Sequence, residues 1–385
     1  MMDLPFDEKD IPASATGVIV TDLDALVRNY AKLRELAAPA ECAGVVKANG
    51  YGVGALAAGR ALAAAGCRTF FVATLAEAQA LRAELHDPDI YVLDGLIPGN
   101  AALFTEADLR PVLGDMDEIA EWSWYCRETE QKLPAALHVD TGMNRLGLKA
   151  QGQRKLLADL EILDSFELSL VMSHLACGDT PDNPKNDDQR AHFQSFIEKL
   201  PPVRASLANS AGVFLGKPYH FDLVRPGVAL YGGNPFSERA NPMEPVVRLY
   251  GRVMQTGTAK AGETVGYGAA LELVSDTRYA SVAIGYADGF FRSLGSSNKR
   301  PGAIAYAGDH PAPILGRVSM DLTVFDITDI PQAAVQRGGF LELIGRHFTV
   351  DDAGACAGSM AYEILTSLSR RCHRIYIGGT SAEGA

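Results

Sequence analysis

A single lysine ends a run of small apolar residues and is followed at once by a glycine-rich turn, Lys47-Ala48-Asn49-Gly50-Tyr51-Gly52. The run Ala43–Val46 predicts a buried strand, and because burial disfavours a cation we expect a lowered pKa for Lys47. Attack on a carbonyl to form a Schiff base requires such a neutral amine. The glycines allow a sharp turn close to a ligand, and the Tyr51 hydroxyl can reach a phosphate oxygen. Taken alone, the pattern fits equally well a strand that ends in a solvated lysine.

The length and composition predict an ordinary globular protein of two domains. The chain has 385 residues, of which 47% are hydrophobic and 21% are charged. A formal net charge of −12, without any Lys/Arg run, argues against nucleic acid as a partner. No apolar stretch approaches the ~20 residues that span a bilayer, and the acidic start Met1–Asp10 lacks the order of a signal peptide. We therefore expect a cytoplasmic protein.

The six cysteines are scattered and include no C-x-x-C pair, which disfavours a disulfide framework and a zinc site. We expect no metal. Cys177 lies close in sequence to His174 and Asp179, a grouping that also fits a cysteine nucleophile with its base. Nothing nearby resembles an oxyanion hole, so this is the weaker interpretation.

Short β-rich runs alternate with helical patterns from about residue 43 to residue 232. The eight β runs are Ala43–Ala48, Thr69–Thr74, Ile90–Asp94, Leu109–Leu113, Ala136–Asp140, Leu168–His174, Ala205–Asn209 and Leu223–Leu230. Helical periodicity occurs between them, for example at Ala55–Ala65, Leu75–Leu85, Asp117–Arg127, Gln151–Leu163 and Asp187–Leu200. Eight such units predict an α/β fold, a (β/α)8 TIM-like barrel. The rival doubly wound sheet lacks a Gly-x-Gly-x-x-Gly turn after its first strand.

A second, mostly-β domain is predicted after the barrel. The runs Val246–Thr256, Arg278–Ala283, Ala303–Tyr306, Ala312–Leu315, Leu322–Asp326 and Phe340–Ile344 are short and separated by Gly and Pro. Only one short helical pattern follows, near Ala361–Ser369. We therefore expect a barrel over residues 12–240 and a β domain over 241–385, with residues 1–20 packed on the β domain. Within the start of the chain, Gly17–Val20 fits a strand outside the barrel, and Asp24–Leu36 a helix packed on the barrel's outer side.

Candidate functional residues stand at the carboxyl ends of the predicted barrel strands, where TIM-barrel sites form. They are Lys47 on the first strand, Asp140 to Arg145 on the fifth, His174 on the sixth, Asn209 and Ser210 on the seventh, and Arg225, Gly227 and Val228 on the eighth. Each alone has an ordinary structural explanation, such as a surface ion pair, a core histidine or a helix cap. Their joint placement favours a ligand site, with a phosphate bound after strands seven and eight.

The lysine motif resembles the cofactor-lysine motif of the alanine racemases, enzymes of fold type III that use pyridoxal 5'-phosphate (PLP) on a barrel. The resemblance covers nearly the whole chain in the family's order. It includes Asp140–Arg145, His174, Asn209-Ser210, Arg225–Gly232, Val265–Ala269, Ile284–Gly289 and Gly316–Asp321.

The resemblance implies a role for each matching residue. Lys47 would bind PLP and act as the base on the D side, and Tyr267 would be the opposing base on the L side. The implied PLP contacts are Tyr51, His174, Asn209, Ser210, Arg225, Gly227 and Val228. The implied substrate contacts are Arg145, Tyr286 and the backbone of Met320, and the implied polar entrance is Asp179, Arg292 and Arg317. Because Tyr267 lies in the second domain, the resemblance also implies a head-to-tail homodimer with two shared sites.

Arg225 bears on the chemistry expected if the cofactor is PLP. A guanidinium cannot lose its proton, so an arginine facing the pyridine nitrogen keeps that nitrogen unprotonated. An unprotonated ring is a poorer electron sink, which favours simple reprotonation at Cα over transamination. A lysine and a tyrosine on opposite faces then suffice for racemisation.

The chain departs from the family pattern at two positions. The family often has a carbamylated lysine that orients the substrate arginine, and here His138 stands at that position. The family also often has a phosphate-binding tyrosine near the C-terminus, which we align with Arg370. Both changes bear on substrate size and rate more than on reaction type.

The sequence thus predicts an alanine racemase that supplies D-alanine for peptidoglycan or acts in alanine catabolism. A broad-specificity or serine racemase of the same fold is the nearest alternative. A decarboxylase is disfavoured by the arginine that would face the ring nitrogen. From another class, a non-catalytic PLP carrier is disfavoured because a carrier has no need of Tyr267.

Overall fold

A computed structural model describes residues 4–379 of the chain except residues 8 and 10. Parts of the acidic start, and the end of the predicted β domain after residue 379, therefore lie outside the described residues. In the part of the chain that is described, no helix combines the length and apolarity needed to cross a membrane.

Eight parallel strand segments form a closed barrel. The strands are β2 (Glu41–Cys42) and β3 (Gly44–Val45), which together make the first segment, β4 (Thr69–Val72), β5 (Asp89–Val92), β6 (Arg110–Leu113), β7 (Pro134–His138), β8 (Glu167–Met172), β9 (Ala205–Ser206) and β10 (Leu223–Val224). Each strand from β3 to β8 pairs in parallel with the next one, so that β9 ends the series. The ring closes because β10 pairs in parallel with β2 and the Arg225 amide donates to the Ala208 carbonyl at 2.9 Å. The predicted barrel is confirmed.

Helices cover the outside of the barrel. They are α1 (Leu23–Ala37), α3 (Ala55–Ala64), α4 (Leu75–Arg82), α5 (Ala101–Glu106), α6 (Met116–Glu128), α7 (Ala150–Ala158) and α8 (Lys185–Ile197), while α2 (Lys47–Tyr51) is a single turn inside the barrel mouth. Side-chain caps fix several starts, for example Asp22 before α1 and Asp115 before α6. The strands are buried on both faces because helices lie outside and side chains fill the barrel inside, as the fully buried run of β4 illustrates.

Several predicted bounds are too long. The predicted strand Leu223–Leu230 ends at Val224, because Pro226 has no N–H to continue the ladder, and a 3₁₀ helix follows over Val228–Tyr231. The predicted helix Gln151–Leu163 ends at Ala158 and gives way to a 3₁₀ helix over Leu160–Ser165.

Within the described part of the chain, the remaining strands build one eight-stranded sheet and a small hairpin. They are β1 (Gly17–Asp22), β11 (Val247–Ala259), β12 (Thr264–Val265), β13 (Leu271–Glu272), β14 (Thr277–Val282), β15 (Ile304–Ala307), β16 (His310–Pro313), β17 (Thr323–Asp326), β18 (Phe340–Ile344) and β19 (His373–Ile377). The sheet order is β16-β15-β18-β11-β1-β19, with β14 and β17 joined to β11, and β12 pairs with β13. β1 therefore lies outside the barrel, antiparallel to β11 and parallel to β19.

Two helices, α9 (Val350–Ala357) and α10 (Ala361–Ser367), lie between β18 and β19. The sequence analysis predicts only the second, although a capping box of Thr349 with Asp352 marks the start of the first. The connection after the barrel is tied to α9, since Asp351 accepts hydrogen bonds from the Asn234 amide at 2.9 Å and from the Asn241 side chain at 2.7 Å. These bonds help to fix α9 and α10 over the barrel mouth.

Gly52 allows α10 to approach the lysine turn closely. Its φ is 84°, and a Cβ there would lie 2.1 Å from the Leu365 carbonyl oxygen. Only glycine accommodates both the backbone angle and the contact.

We predict that Gly52→Ala lowers the free energy of unfolding by about 2–4 kcal/mol, since it adds a clash to an unfavourable φ. Gly99→Ala is the matched control, because Gly99 has a φ of 85° but nothing lies within 4 Å of the position that its added methyl group would take. Urea denaturation of both variants measures the difference. Equal losses in the two variants would contradict the role given to the Leu365 contact.

Candidate active site

A cavity of about 940 Å³ opens at the carboxyl ends of the barrel strands. The predicted residues that line it are Lys47, Tyr51, Arg145, His174, Asn209, Ser210, Arg225 and Gly227. The segment from α9 to α10 lines the opposite side with Gly358, Ser359, Met360, Tyr362, Glu363 and Thr366. The barrel thus gathers residues that are far apart in sequence, and the second domain partly covers them.

Lys47 begins a turn of left-handed helix. Ala48, Asn49, Gly50 and Tyr51 have φ values of 53°, 55°, 62° and 52°, although only glycine adopts this conformation without cost. Backbone hydrogen bonds hold the turn, with the Gly50 amide donating to the Val46 carbonyl at 2.8 Å. The sequence predicts a sharp turn here but not its handedness.

The surroundings of Lys47 favour its neutral amine. Burial lowers the pKa of Lys47, the positive charge of Arg145 lowers it further, and Asp94 and Glu77 oppose this only in part. A neutral amine is the nucleophilic form, so the geometry supports the predicted attack on a carbonyl.

Arg225 brings a buried positive charge to the same cavity. Its guanidinium donates to the Ser206 hydroxyl and, at 2.5 Å, to the Ser173 carbonyl, and it lies over the Phe71 ring. Among the described residues no carboxylate pairs with it. Burial lowers the pKa of Arg225 to about 9, which leaves it charged at neutral pH. The cavity therefore presents a positive charge that only neutral groups contact.

A small polar cradle lies between the ends of the seventh and eighth strands. The Ser210 hydroxyl accepts hydrogen bonds from the amides of Gly227 at 2.8 Å and Ala229 at 3.3 Å. A Cβ on Gly227 would lie 2.0 Å from the Tyr51 hydroxyl oxygen, so glycine allows that hydroxyl to approach. Val228 is fully buried beside them and contributes no surface to the cavity. Hydroxyl and amide groups at this point suit an anionic group.

Arg145 lies on a loop that Asp140 organises. One Asp140 oxygen accepts from the amides of Gly142 and Met143, each at 2.9 Å, and the other pairs with the Lys149 ammonium. Burial alone would raise the pKa of Asp140, but these donors hold it below its usual value. The loop thereby brings the exposed Arg145 side chain to the edge of the cavity.

Two histidines in the cavity are kept neutral. Burial and the charge of Arg225 lower the pKa of His174 well below its usual value and that of His138 to about 4. His174 Nε2 lies 3.4 Å from Asn209 Nδ2, whereas Cys177 does not line the cavity. The alternative of a Cys177 nucleophile paired with His174 therefore finds no support.

Tyr362 is a polar residue of the cavity that the sequence analysis misses. Its ring centroid lies 6.2 Å from that of Tyr51, and burial raises the pKa of Tyr362 to about 12. Arg370, which we align with the family's C-terminal tyrosine, is exposed and outside the cavity. Tyr362 therefore fits the position of that tyrosine better than Arg370 does. The signal was present in the sequence, since Tyr362 lies in the short helical pattern predicted near the C-terminus.

The predicted residues of the second domain do not reach Lys47 of the same chain. Tyr267, Tyr286 and Met320 have relative exposures of 70%, 42% and 53%. Arg292 and Arg317 line a separate cavity of about 500 Å³. None of these residues lines the lysine cavity.

Several of them nevertheless share one face of the second domain. A Cβ on Gly268, next to Tyr267, would lie 3.0 Å from the Arg317 side chain, and the Tyr286 amide donates to the Ser319 carbonyl at 3.1 Å. Asp179, on the barrel, is exposed and accepts from the Ser237 hydroxyl at 2.7 Å. One chain therefore holds a lysine cavity and, elsewhere, an exposed tyrosine face.

The fold and the cavity define a class: two-domain barrel proteins with a lysine of lowered pKa at the strand ends. Residues 21–235 match the alanine racemase N-terminal domain and residues 246–376 the C-terminal domain. The chain belongs to the alanine racemase family.

Individual relatives are similar over nearly their whole length. The alanine racemase of Methylobacterium nodulans is 47% identical over 96% of this chain and 98% of its own. The catabolic alanine racemase of Agrobacterium fabrum is 44% identical over 98% of this chain and 96% of its own. A crystal structure of the Bartonella henselae alanine racemase with covalently bound PLP superposes with a TM-score of 0.89, at 39% identity over 94% of this chain and all of that one.

We predict that His138→Gln flattens the dependence of stability on pH. The pKa of His138 is about 4 when folded and 6.5 when unfolded, so below pH 6.5 the unfolded state binds the proton first and stability falls until about pH 4. Between pH 6.5 and about pH 4 the wild type therefore loses about 3 kcal/mol of its free energy of unfolding, which the variant retains. Urea unfolding of the cofactor-free protein at pH 7 and pH 4.5 measures it, with the exposed His86→Gln as control. Parallel pH curves for wild type and His138→Gln would contradict the prediction.

Proposed function

We propose that this protein is an alanine racemase that interconverts L- and D-alanine with PLP bound to Lys47. The observation that carries the proposal is the cavity in which Lys47, with its lowered pKa, lies near the buried guanidinium of Arg225. Full-length similarity to alanine racemases supports the choice of substrate.

The residues present fit PLP in three respects. Lys47 offers an amine of lowered pKa to an aldehyde, and the hydroxyls of Ser210 and Tyr51 with the Gly227 region suit a phosphate. Arg225 is a donor without a carboxylate partner in the described chain, which suits an acceptor nitrogen. When bound, PLP supplies the electron sink that makes the Cα proton of alanine labile.

The protein's own residues then move the proton. Lys47 takes and returns it on the D side, a role that the lowered pKa of its amine favours. Tyr267 of the partner subunit serves the L side. Arg145 binds the substrate carboxylate at the cavity edge, with the partner's Met320 and the partner's Tyr286 beside it. Asp179 with the partner's Arg292 and the partner's Arg317 forms a polar entrance.

This assignment requires a head-to-tail homodimer. The lysine cavity is open to solvent on the side not covered by α9 and α10, and Tyr267 is exposed on its own chain. Two copies that exchange these faces complete two identical sites. We propose residues 12–240 as the cofactor domain and residues 241–385 as the domain that completes the partner's site.

Two cellular roles are compatible with this reaction. Supply of D-alanine for peptidoglycan and alanine catabolism both fit the reaction, and the similar Agrobacterium fabrum protein is named a catabolic enzyme. We propose that the protein acts in the cytoplasm and that the same racemisation reaction serves either use.

Incubation with L-alanine and, separately, with L-serine in heavy water tests the proposal. Proton NMR follows deuterium entry at Cα, and chiral chromatography follows the D-isomer. We expect fast D-alanine formation with deuterium at Cα and little reaction of serine. Comparable rates would indicate a broad-specificity racemase, and no exchange in a protein yellow with PLP would leave only a carrier.

We predict that Lys47→Ala and Tyr267→Phe each abolish racemisation alone and complement each other when mixed. In a mixed dimer one site lacks both groups and the other is intact, so the isolated mixed dimer should have about half of wild-type activity and an unfractionated random mixture about a quarter. Coexpression of the two variants with different tags, followed by isolation of the mixed dimer, measures the recovery.

Tyr306→Phe is the matched control, because Tyr306 lies in the same domain and stacks on His347. It should retain full activity. A mixed dimer as inactive as its parents would show that the two residues do not serve one site from different chains.

A further inference from the structure

The turn that presents Lys47 is held from outside by one carboxylate. Ala48 directly follows Lys47 and has a φ of 53°, which an alanine adopts only when its neighbours enforce it. The Glu77 Oε1 accepts a hydrogen bond from the Ala48 amide at 2.7 Å, and the Glu77 Oε2 accepts one from the Ala73 amide at 2.9 Å. The two oxygens therefore join the backbone after the first barrel strand to the backbone after the second.

Glu77 stands at the start of a helix. It lies in the first turn of α4, and its amide donates to the Thr74 hydroxyl at 3.3 Å in a capping box. Ala73 and Ala48, the two residues whose amides it binds, both line the lysine cavity. The carboxylate thus forms a fixed link just behind the cavity wall.

We propose that Glu77 is a positioning residue for Lys47: it holds the left-handed turn so that the lysine side chain enters the cavity in one direction. The inference rests on the proposed function of Lys47 as the cofactor lysine and deepens it. Glu77 acts through the backbone and not on the substrate, and a misplacement of about 1 Å at a reacting group can lower a rate roughly 100-fold.

The carboxylate also acts on Lys47 through its charge. The charged groups that act on this amine are Arg145, Asp94, Glu77 and Arg225, and the neutral His174 lies in the same cavity. Glu77 raises the pKa of Lys47 against the stronger lowering by burial. Removing the charge of Glu77 therefore moves the titration of Lys47 to lower pH.

Two substitutions separate the effect of the length of the Glu77 side chain from the effect of its negative charge. Glu77→Gln keeps the length, but its single oxygen can accept from only one of the two amides. Glu77→Asp keeps the charge but is one methylene too short to span both. We expect each variant to bind PLP and to lose roughly 10- to 100-fold in kcat with a smaller change in KM. Only Glu77→Gln should move the pH profile of kcat to lower pH.

Two controls test whether the effect is merely loss of a helix. Thr74→Ala removes the capping hydroxyl of α4 and leaves the Glu77 bonds to the Ala48 and Ala73 amides. Glu84→Gln removes a carboxylate just beyond the same helix, where it pairs with Arg60 at 2.8 Å. Both should keep wild-type kcat. A Thr74→Ala protein as slow as the Glu77 variants would overturn the proposal.

A readout independent of turnover is hydrogen–deuterium exchange of the cofactor-free protein. We expect faster exchange at the Ala48 amide in both Glu77 variants and unchanged exchange there in Thr74→Ala. Unchanged exchange and unchanged kcat in the Glu77 variants would overturn the inference. If the wild type racemises nothing, the proposed function fails by itself, while the exchange measurement still decides whether Glu77 holds the turn.

Discussion

The structure depends on positive charge collected at the mouth of the barrel. Lys47, Arg145 and Arg225 reach one cavity, and for Arg225 the described chain offers no carboxylate partner. Burial, and after it the neighbouring positive charges, push Lys47 towards its neutral form and keep His138 and His174 uncharged. An anionic ligand that carries an aldehyde would neutralise part of this positive charge and could react with the Lys47 amine. The same positive charge therefore accounts for the lowered pKa of Lys47 and for the proposed ligand.

The backbone that holds these charged residues is irregular at the ends of the barrel strands. The first barrel strand ends in a left-handed turn, the eighth ends at Pro226, and the turn after the seventh strand supplies Ser210 as an acceptor for the Gly227 amide. The α9–α10 segment then approaches from the second domain, which Gly52 permits. The cavity is built where the regular ladders stop, as is usual for barrel sites.

The sequence predicted the barrel because its strands are short, continuously apolar runs, as in β4. It predicted the location of the site beyond these strands because chemistry-bearing residues follow the runs. It could not predict the handedness of the lysine turn or the role of Glu77, since both depend on contacts between segments about 30 residues apart. It missed α9 because that helix is too short for clear periodicity, and it missed Tyr362 because it aligned the family's C-terminal tyrosine with Arg370. The relation of Tyr267 to Lys47 lies beyond one chain and rests on the family resemblance.

The central claim is that Lys47 is the residue that binds the cofactor, and one measurement tests it most directly. The full-length protein loaded with PLP is reduced with borohydride, digested and mapped by peptide mass spectrometry. We predict a phosphopyridoxyl group on the peptide that contains Lys47, at that lysine alone and in one copy per chain. A label on another lysine, or none in a protein that has bound PLP, would contradict the account.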